Sequence, residues 1–147
     1  MKLSTSKAEL QQALQKLSKA TPARSTLPIL GCVLLEATEK KTTLRATDLE
    51  ITIEVEISVS LERAGSAALP IRTLLDITTE LPETRLTLTV DEKNRAEIQT
   101  DSGTYDLMGK PADEFPDTPD NKDTASIQIS AELLKGVIDA TSFAVSR

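Results

Sequence analysis

Carboxylates are the only side chains in this sequence that could perform bond chemistry together. Asp48 with Glu50, and Asp113 with Glu114 and Asp117, are the two close sets, and either could offer hard oxygen ligands to a cation. The first lies beside a strand start and the second in a proline-rich stretch, so both read as solvated surface. There is no histidine, and the single cysteine, Cys32, has no imidazole to activate it. No glycine-rich phosphate loop is present either. We therefore expect no catalytic residue, no metal site and no cofactor. Tyr105, Phe115 and Phe143 are too few and too scattered to stack single-stranded nucleic acid.

What remains is charge. The chain of 147 residues carries a formal net charge of −6, which argues against a protein that grips phosphate over its whole surface. The distribution is uneven. Residues 1–24 hold Lys2, Lys7, Lys16, Lys19 and Arg24 against Glu9 alone, whereas residues 112–123 hold five acidic residues against Lys122. A hydrophobic fraction of 39% is enough for a packed core. No apolar run approaches the roughly 18 residues that span a bilayer, and the N-terminal stretch lacks a signal-peptide apolar segment. These features predict a soluble, cytoplasmic protein with no membrane partner. Cys32, inside the apolar run 29–35, reads as a small core residue.

The elements that would position these residues follow from periodicity. Ser6 reads as an N-cap with Glu9 completing a capping box, and Leu10, Ala13, Leu14 and Leu17 form the inward stripe of a helix that ends before Pro22. Lys7, Lys16 and Lys19 stay on its polar faces. Strands are predicted at 29–37, 42–47 and 51–59, the last from the strict alternation of Ile51, Ile53, Val55, Ile57 and Val59. After Gly65 the order repeats. A short extended piece at 67–69 leads through Pro70 into a helix bearing Ile71, Leu74, Leu75, Thr78 and Leu81, followed by strands at 85–90, 95–100 and 104–108. Two βαβββ units make an α+β domain, with two helices on one face of an antiparallel sheet. Residues 111–124, with three prolines, read as a linker. Beyond it, displacing the N-terminal pattern by 124 sets Leu3 on Ile127, Ser6 on Ser130, Leu10 on Leu134 and Leu14 on Ile138. The domain division is therefore 1–122 for one complete domain and 123–147 for a linker and the first strand and helix of a second copy. On this reading the chain is a piece of something longer.

Specific strings narrow the reading further. RSTLPILG at 24–31, TDLE at 47–50, LPE at 81–83, EFP at 114–116 and TSFAVS at 141–146 resemble, in order and spacing, the bacterial beta sliding clamp family, the beta subunit of DNA polymerase III. The resemblance covers the whole chain, though the family has three such domains per chain. Cys32 departs from the polar residue frequent after the glycine in this family. The resemblance implies the clamp, or processivity, fold and a non-catalytic subunit. It implies a head-to-tail homodimer ring around double-stranded DNA, with helices lining the hole and sheets forming the outer wall. Such a ring tethers the replicative polymerase without reading sequence. Arg24 matches a family position that contacts the DNA backbone and Arg72 a basic position at the start of the second helix. Lys7, Lys16 and Lys19 are further DNA-binding candidates from their helix faces. Tyr105 and Leu107 lie on one side of the strand with which the family pairs to a second subunit, and either serve that interface or belong to the core. The family's groove for polymerase and clamp loader belongs to domains absent from this sequence. A generic non-catalytic protein-interaction module without a DNA role is the alternative. Sparse basic residues suit a tether that slides, because each neutralised phosphate releases counterions and adds salt-sensitive grip.

Overall fold

Ser6 ends one strand and caps the helix that follows. Its backbone is extended and its hydroxyl accepts from Glu9 N at 3.1 Å, satisfying one of the donors that a helix start leaves open. The reciprocal half of the expected capping box is replaced by a longer reach. The Glu9 carboxylate accepts from Ser58 N at 3.1 Å, tying the helix start to a distant strand end. The computed structural model describes residues 1–22, 25–117 and 127–145.

The first unit comprises β1 (Lys2–Ser6), α1 (Lys7–Leu17), β2 (Cys32–Ala37), β3 (Thr42–Thr47) and β4 (Thr52–Ile57), with a short strand β5 (Ser60–Arg63) after it. The second comprises β6 (Gly65–Pro70), α2 (Ile71–Glu80), β7 (Arg85–Val90), β8 (Arg95–Thr100) and β9 (Gly103–Met108). The βαβββ order recurs as expected, but one antiparallel sheet becomes two. Sheet A runs β5-β1-β7-β8-β9 and sheet B runs β4-β3-β2-β6. The first strand of each unit has crossed into the sheet of the other: β1 pairs with β7, placing Leu3 opposite Leu88, and β6 pairs with β2, placing Leu69 opposite Val33. Neither unit can close its own sheet, so the two form one cooperative body.

β5 is an element the alternation at 51–59 does not reveal. The strand expected to reach Val59 stops at Ile57. Ser58 O accepts from Thr5 Oγ1 at 2.9 Å, and the chain then changes sheets to pair with β1. The expected strand at 29–37 likewise begins at Cys32, because Pro28–Gly31 forms a 3-10 turn.

Inward-facing residues of both sheets meet the helices in one core. Leu3, Leu86, Leu88 and Ile98 contribute from sheet A, Val33, Leu35, Leu44 and Leu69 from sheet B, and Leu10, Leu14, Leu17, Ile71 and Leu74 from the helices. A smaller cluster lies on the opposite face of sheet B, where Phe115 covers Cys32, Leu34 and Ala68. The acidic, proline-rich stretch is thus not wholly linker, since one of its residues is core. Burial beneath this cluster pushes the Cys32 thiol up from its ordinary range. A third helix, α3 (Ala131–Thr141), is capped by Ser130, whose hydroxyl accepts from Leu133 N at 3.2 Å. Its apolar stripe of Leu133, Leu134, Val137 and Ile138 is exposed. Among the described residues, no helix is long and apolar enough to cross a membrane.

Candidate nucleic-acid interface

α1 lies against β3 and β4, and α2 against β2 and β6. Both helices therefore cover the inner face of sheet B, side by side, and Gln11 Nε2 donates to Thr79 Oγ1 between them at 3.4 Å. Leu10, Ala13, Leu14 and Leu17 of α1 and Ile71, Leu74 and Thr78 of α2 point into the core. The polar faces of the pair must then form one surface.

Four candidate cations lie in this layer. Lys7 opens α1 and is half-buried, while its amide donates to Thr84 O at 2.9 Å. Lys16 is exposed in the last turn, where a positive charge meets the negative end of the helix dipole. Lys19 is exposed in the short turn Ser18–Ala20 that follows, and Arg72 is exposed in the first turn of α2. Arg24 lies outside the described residues. Three carboxylates share the layer, Glu9, Asp76 and Glu80, and Glu9 is engaged by Ser58 N. With four cations against three carboxylates, the layer is close to neutral, and the chain's negative excess lies elsewhere.

The sheet side is wired differently. On the outer face of sheet B, Arg45 reaches Glu54 at 2.8 Å and Glu36 at 3.3 Å, and Lys41 reaches Glu54 at 3.4 Å. The Arg45 guanidinium holds the Glu54 carboxyl below the usual range. On the outer face of sheet A, Arg95 meets Asp106 at 3.1 Å and Lys2 meets Glu62 at 2.7 Å. Lys7, Lys16 and Lys19, by contrast, enter no ion pair among the described residues. Their charge stays available to an anion from outside the domain.

Of the two readings of Tyr105 and Leu107, the side chains take the core one. β9 is an edge strand, paired to β8 on one side and, among the described residues, to no strand on the other. Its register sets Leu107 opposite Ala96 and Tyr105 opposite Ile98, so alternation turns both inward. Leu107 retains only 6% exposure and Tyr105 packs half-buried on the same core. The outward residues are Thr104, Asp106 and Met108, all exposed. What the edge offers a partner is its row of backbone donors and acceptors, which no side-chain pattern announces.

Asp48 belongs to a turn. Its carboxylate accepts from Ile51 N at 2.7 Å and Glu50 N at 3.0 Å, and these amides, Ile51 first, hold its pKa down. Thr47 Oγ1 accepts from Leu49 N at 3.0 Å in the same turn, which puts Leu49 in the left-handed region at φ +79°. Asp113 and Glu114 are exposed. Among the described residues, no group of three or more His, Cys, Asp or Glu side chains could hold a metal ion.

Comparison with known proteins gives one consistent result. The family described as DNA polymerase III beta subunit, N-terminal domain, matches residues 1–119. The beta sliding clamp of Vibrio cholerae is 30% identical over 147 residues, covering 99% of this chain and 40% of that protein. A beta sliding clamp sequence from Vibrio harveyi is 33% identical, covering 97% of this chain and 99% of its own length. Among solved structures, the DNA polymerase sliding clamp of Bacillus subtilis superposes with a TM-score of 0.93 at 30% identity, covering 99% of this chain and 40% of that one. That of Caulobacter crescentus gives 0.92 at 30% identity with the same coverage. Against most of the relatives it matches, the chain spans about 40% of their length.

Proposed function

The chain belongs to the DNA polymerase III beta subunit family, and on that premise we propose that it acts as part of a DNA sliding clamp. The clamp is a ring of two subunits joined head to tail that encircles duplex DNA and tethers the replicative polymerase during replication. Its role is positional and non-catalytic. Residues 1–122 are one domain of the ring, and residues 123–147 begin the next.

The observation that carries this reading is the asymmetry between the two sides of the domain. Among the described residues, Lys7, Lys16 and Lys19 of the α1–α2 layer enter no ion pair, whereas on the sheet side Lys2, Lys41, Arg45 and Arg95 are matched to carboxylates and Lys40, Arg63 and Lys93 at its turns and edge are not. A ring with the helix layer inward meets phosphate through Lys7, Lys16, Lys19, Arg72 and Arg24. It turns the more acidic and partly ion-paired surface outward, which discourages DNA from binding the wrong side. The contacts are few, as sliding requires: firm phosphate contacts would raise affinity and salt sensitivity together. They also carry no base information. The exposed edge of β9 is the surface by which the second subunit adds its own strand. Polymerase and clamp loader engage parts of the ring that this sequence does not contain.

Anisotropy titration of the 147-residue protein with random duplexes at two salt concentrations tests the reading. Contact without enclosure predicts Kd values no tighter than roughly 10⁻⁴ to 10⁻⁶ M, independent of sequence and strongly weakened by salt. Nanomolar, sequence-dependent binding would contradict it.

A further inference from the structure

The chain after β9 doubles back over sheet B. Gly109 N donates to Asn94 O at 2.8 Å. A Cβ on Gly109 would stand 2.7 Å from Leu69 Cδ2 and 2.8 Å from Ala68 O, so a larger residue could not pass β6 this closely. Lys110 then pairs with Ala68 in both directions: Lys110 N donates to Ala68 O at 2.8 Å and Ala68 N to Lys110 O at 3.0 Å. A turn over Ala112–Glu114 closes with Phe115 N donating to Ala112 O at 3.1 Å. The Phe115 ring lands on Cys32, Leu34 and Ala68, with Ile29 and Ala112 at the margin. Only 5% of Phe115 remains exposed.

We propose that residues 109–115 form a strap that opens as a unit while the domain stays folded, with Phe115 as its latch. Closed, the strap lies against sheet B; open, it pivots about Gly109. Three features support a separate opening. The cluster under Phe115 is distinct from the main core. The same β2 strand sends Val33 and Leu35 to the other face, where the main core remains intact when the strap lifts. The strap itself is held by one aromatic side chain and a few backbone hydrogen bonds, the kind of segment whose opening costs less than global unfolding. The inference concerns the fold and stands whether or not the chain binds DNA.

Cys32 is a built-in reporter, because its thiol lies beneath Phe115 and beside Pro28 O. Native-state labelling of the thiol with an aromatic disulfide reagent, alongside hydrogen exchange at Ala68, Lys110, Leu86 and Ile98, follows the opening. In the wild type we expect labelling at a rate insensitive to low denaturant, with Ala68 and Lys110 exchanging faster than Leu86 and Ile98. Phe115→Ala should raise the labelling rate by about 10-fold or more, and Phe115→Leu by less, while Leu86 and Ile98 remain protected. Labelling that keeps pace with the core amides in all three proteins would overturn the proposal. So would a Phe115→Ala chain that fails to fold, since the latch would then belong to the global core. Faster labelling with the Ala68 amide still protected would also overturn it, assigning the opening to the turn at 28–31.

Discussion

Thr78 is fully buried on the core-facing side of α2, and replacing it with valine should leave the stability nearly unchanged. Its hydroxyl donates to Leu74 O at 2.8 Å and lies 3.1 Å from Leu75 O. Both carbonyls already accept from the helix ladder, so removing the hydroxyl orphans no acceptor. The hydrogen bond is worth about 0.5–1.5 kcal/mol net, and losing it opposes the change. That net figure already contains the desolvation of the hydroxyl, so the one term favouring the change is the added buried methyl, worth about 0.8 kcal/mol. Helix propensity is neutral, since threonine and valine rank together. The two terms nearly cancel, so Thr78→Val should stay within about 1 kcal/mol of wild type, or roughly 4 °C in Tm for a domain of this size. Thr78→Ala should instead be clearly destabilising, by about 1 kcal/mol or more, because it loses the hydrogen bond without the methyl and leaves a void beside Leu74 and Ile71. Urea denaturation followed by far-UV circular dichroism measures both. Thr78→Val less stable than wild type by 1 kcal/mol or more would refute the reasoning, by showing that the hydroxyl does more than satisfy itself.

Ser6→Ala removes the α1 cap and should cost about 1 kcal/mol in the same assay. The Arg45–Glu54 pair predicts a pH signature. The folded carboxyl lies below its unfolded value, so its stabilisation is present above the unfolded value and is lost as pH falls through the folded one. The stability gap between wild type and Glu54→Gln should therefore shrink on acidification below about pH 4.5. Glu54 keeps 38% of its side-chain surface, which limits the gap to roughly 1 kcal/mol or less; a gap that widens as the pH drops would reverse the assignment. Arg24→Glu should weaken duplex binding and lower the salt slope by about one for the lost phosphate contact. A variant indistinguishable from wild type in titrations at two salt concentrations would remove Arg24 from the interface.

Local patterns carried most of the elements. Leu10, Ala13, Leu14 and Leu17 announce α1 because a helix repeats its buried face every three to four residues, and all four are buried. The strands β3, β7 and β8 fall where alternation and turn residues put them. The exchange of β1 and β6 was not legible, because it pairs residues such as Leu3 and Leu88 across more than 80 positions, and periodicity says nothing of partners. β5 escaped because Ser60, Leu61, Glu62 and Arg63 offer one apolar side chain and no alternation to count. Phe115 hid among prolines and acids; its signal is a lone aromatic in a polar stretch, and only its seat on Cys32 and Leu34 gives that signal meaning. In the candidate interface, helical phase correctly set Lys16 and Lys19 on the exposed side of the layer. It could not show that they lack ion-pair partners among the described residues, which depends on the rest of the fold. Tyr105 and Leu107 were paired on one face of β9 as alternation requires, but only the register with Ala96 and Ile98 shows that this face is the core.

The central claim is that the α1–α2 layer, rather than the sheet side, faces duplex DNA. Two double variants with the same change in net charge test it most directly: Lys16→Glu with Lys19→Glu in the helix layer, and Lys40→Glu with Lys93→Glu in the β2–β3 and β7–β8 turns. Binding to a random duplex is measured for each from low to moderate salt. Near 0.1 M salt, charges more than about 10 Å from the phosphates are largely screened, so position dominates over total charge. The helix-layer pair should lose about 10-fold in affinity and flatten the salt slope by about two, while the turn pair stays within about 2-fold of wild type. Equal losses in the two variants, or a larger loss from the turns, would contradict the claim.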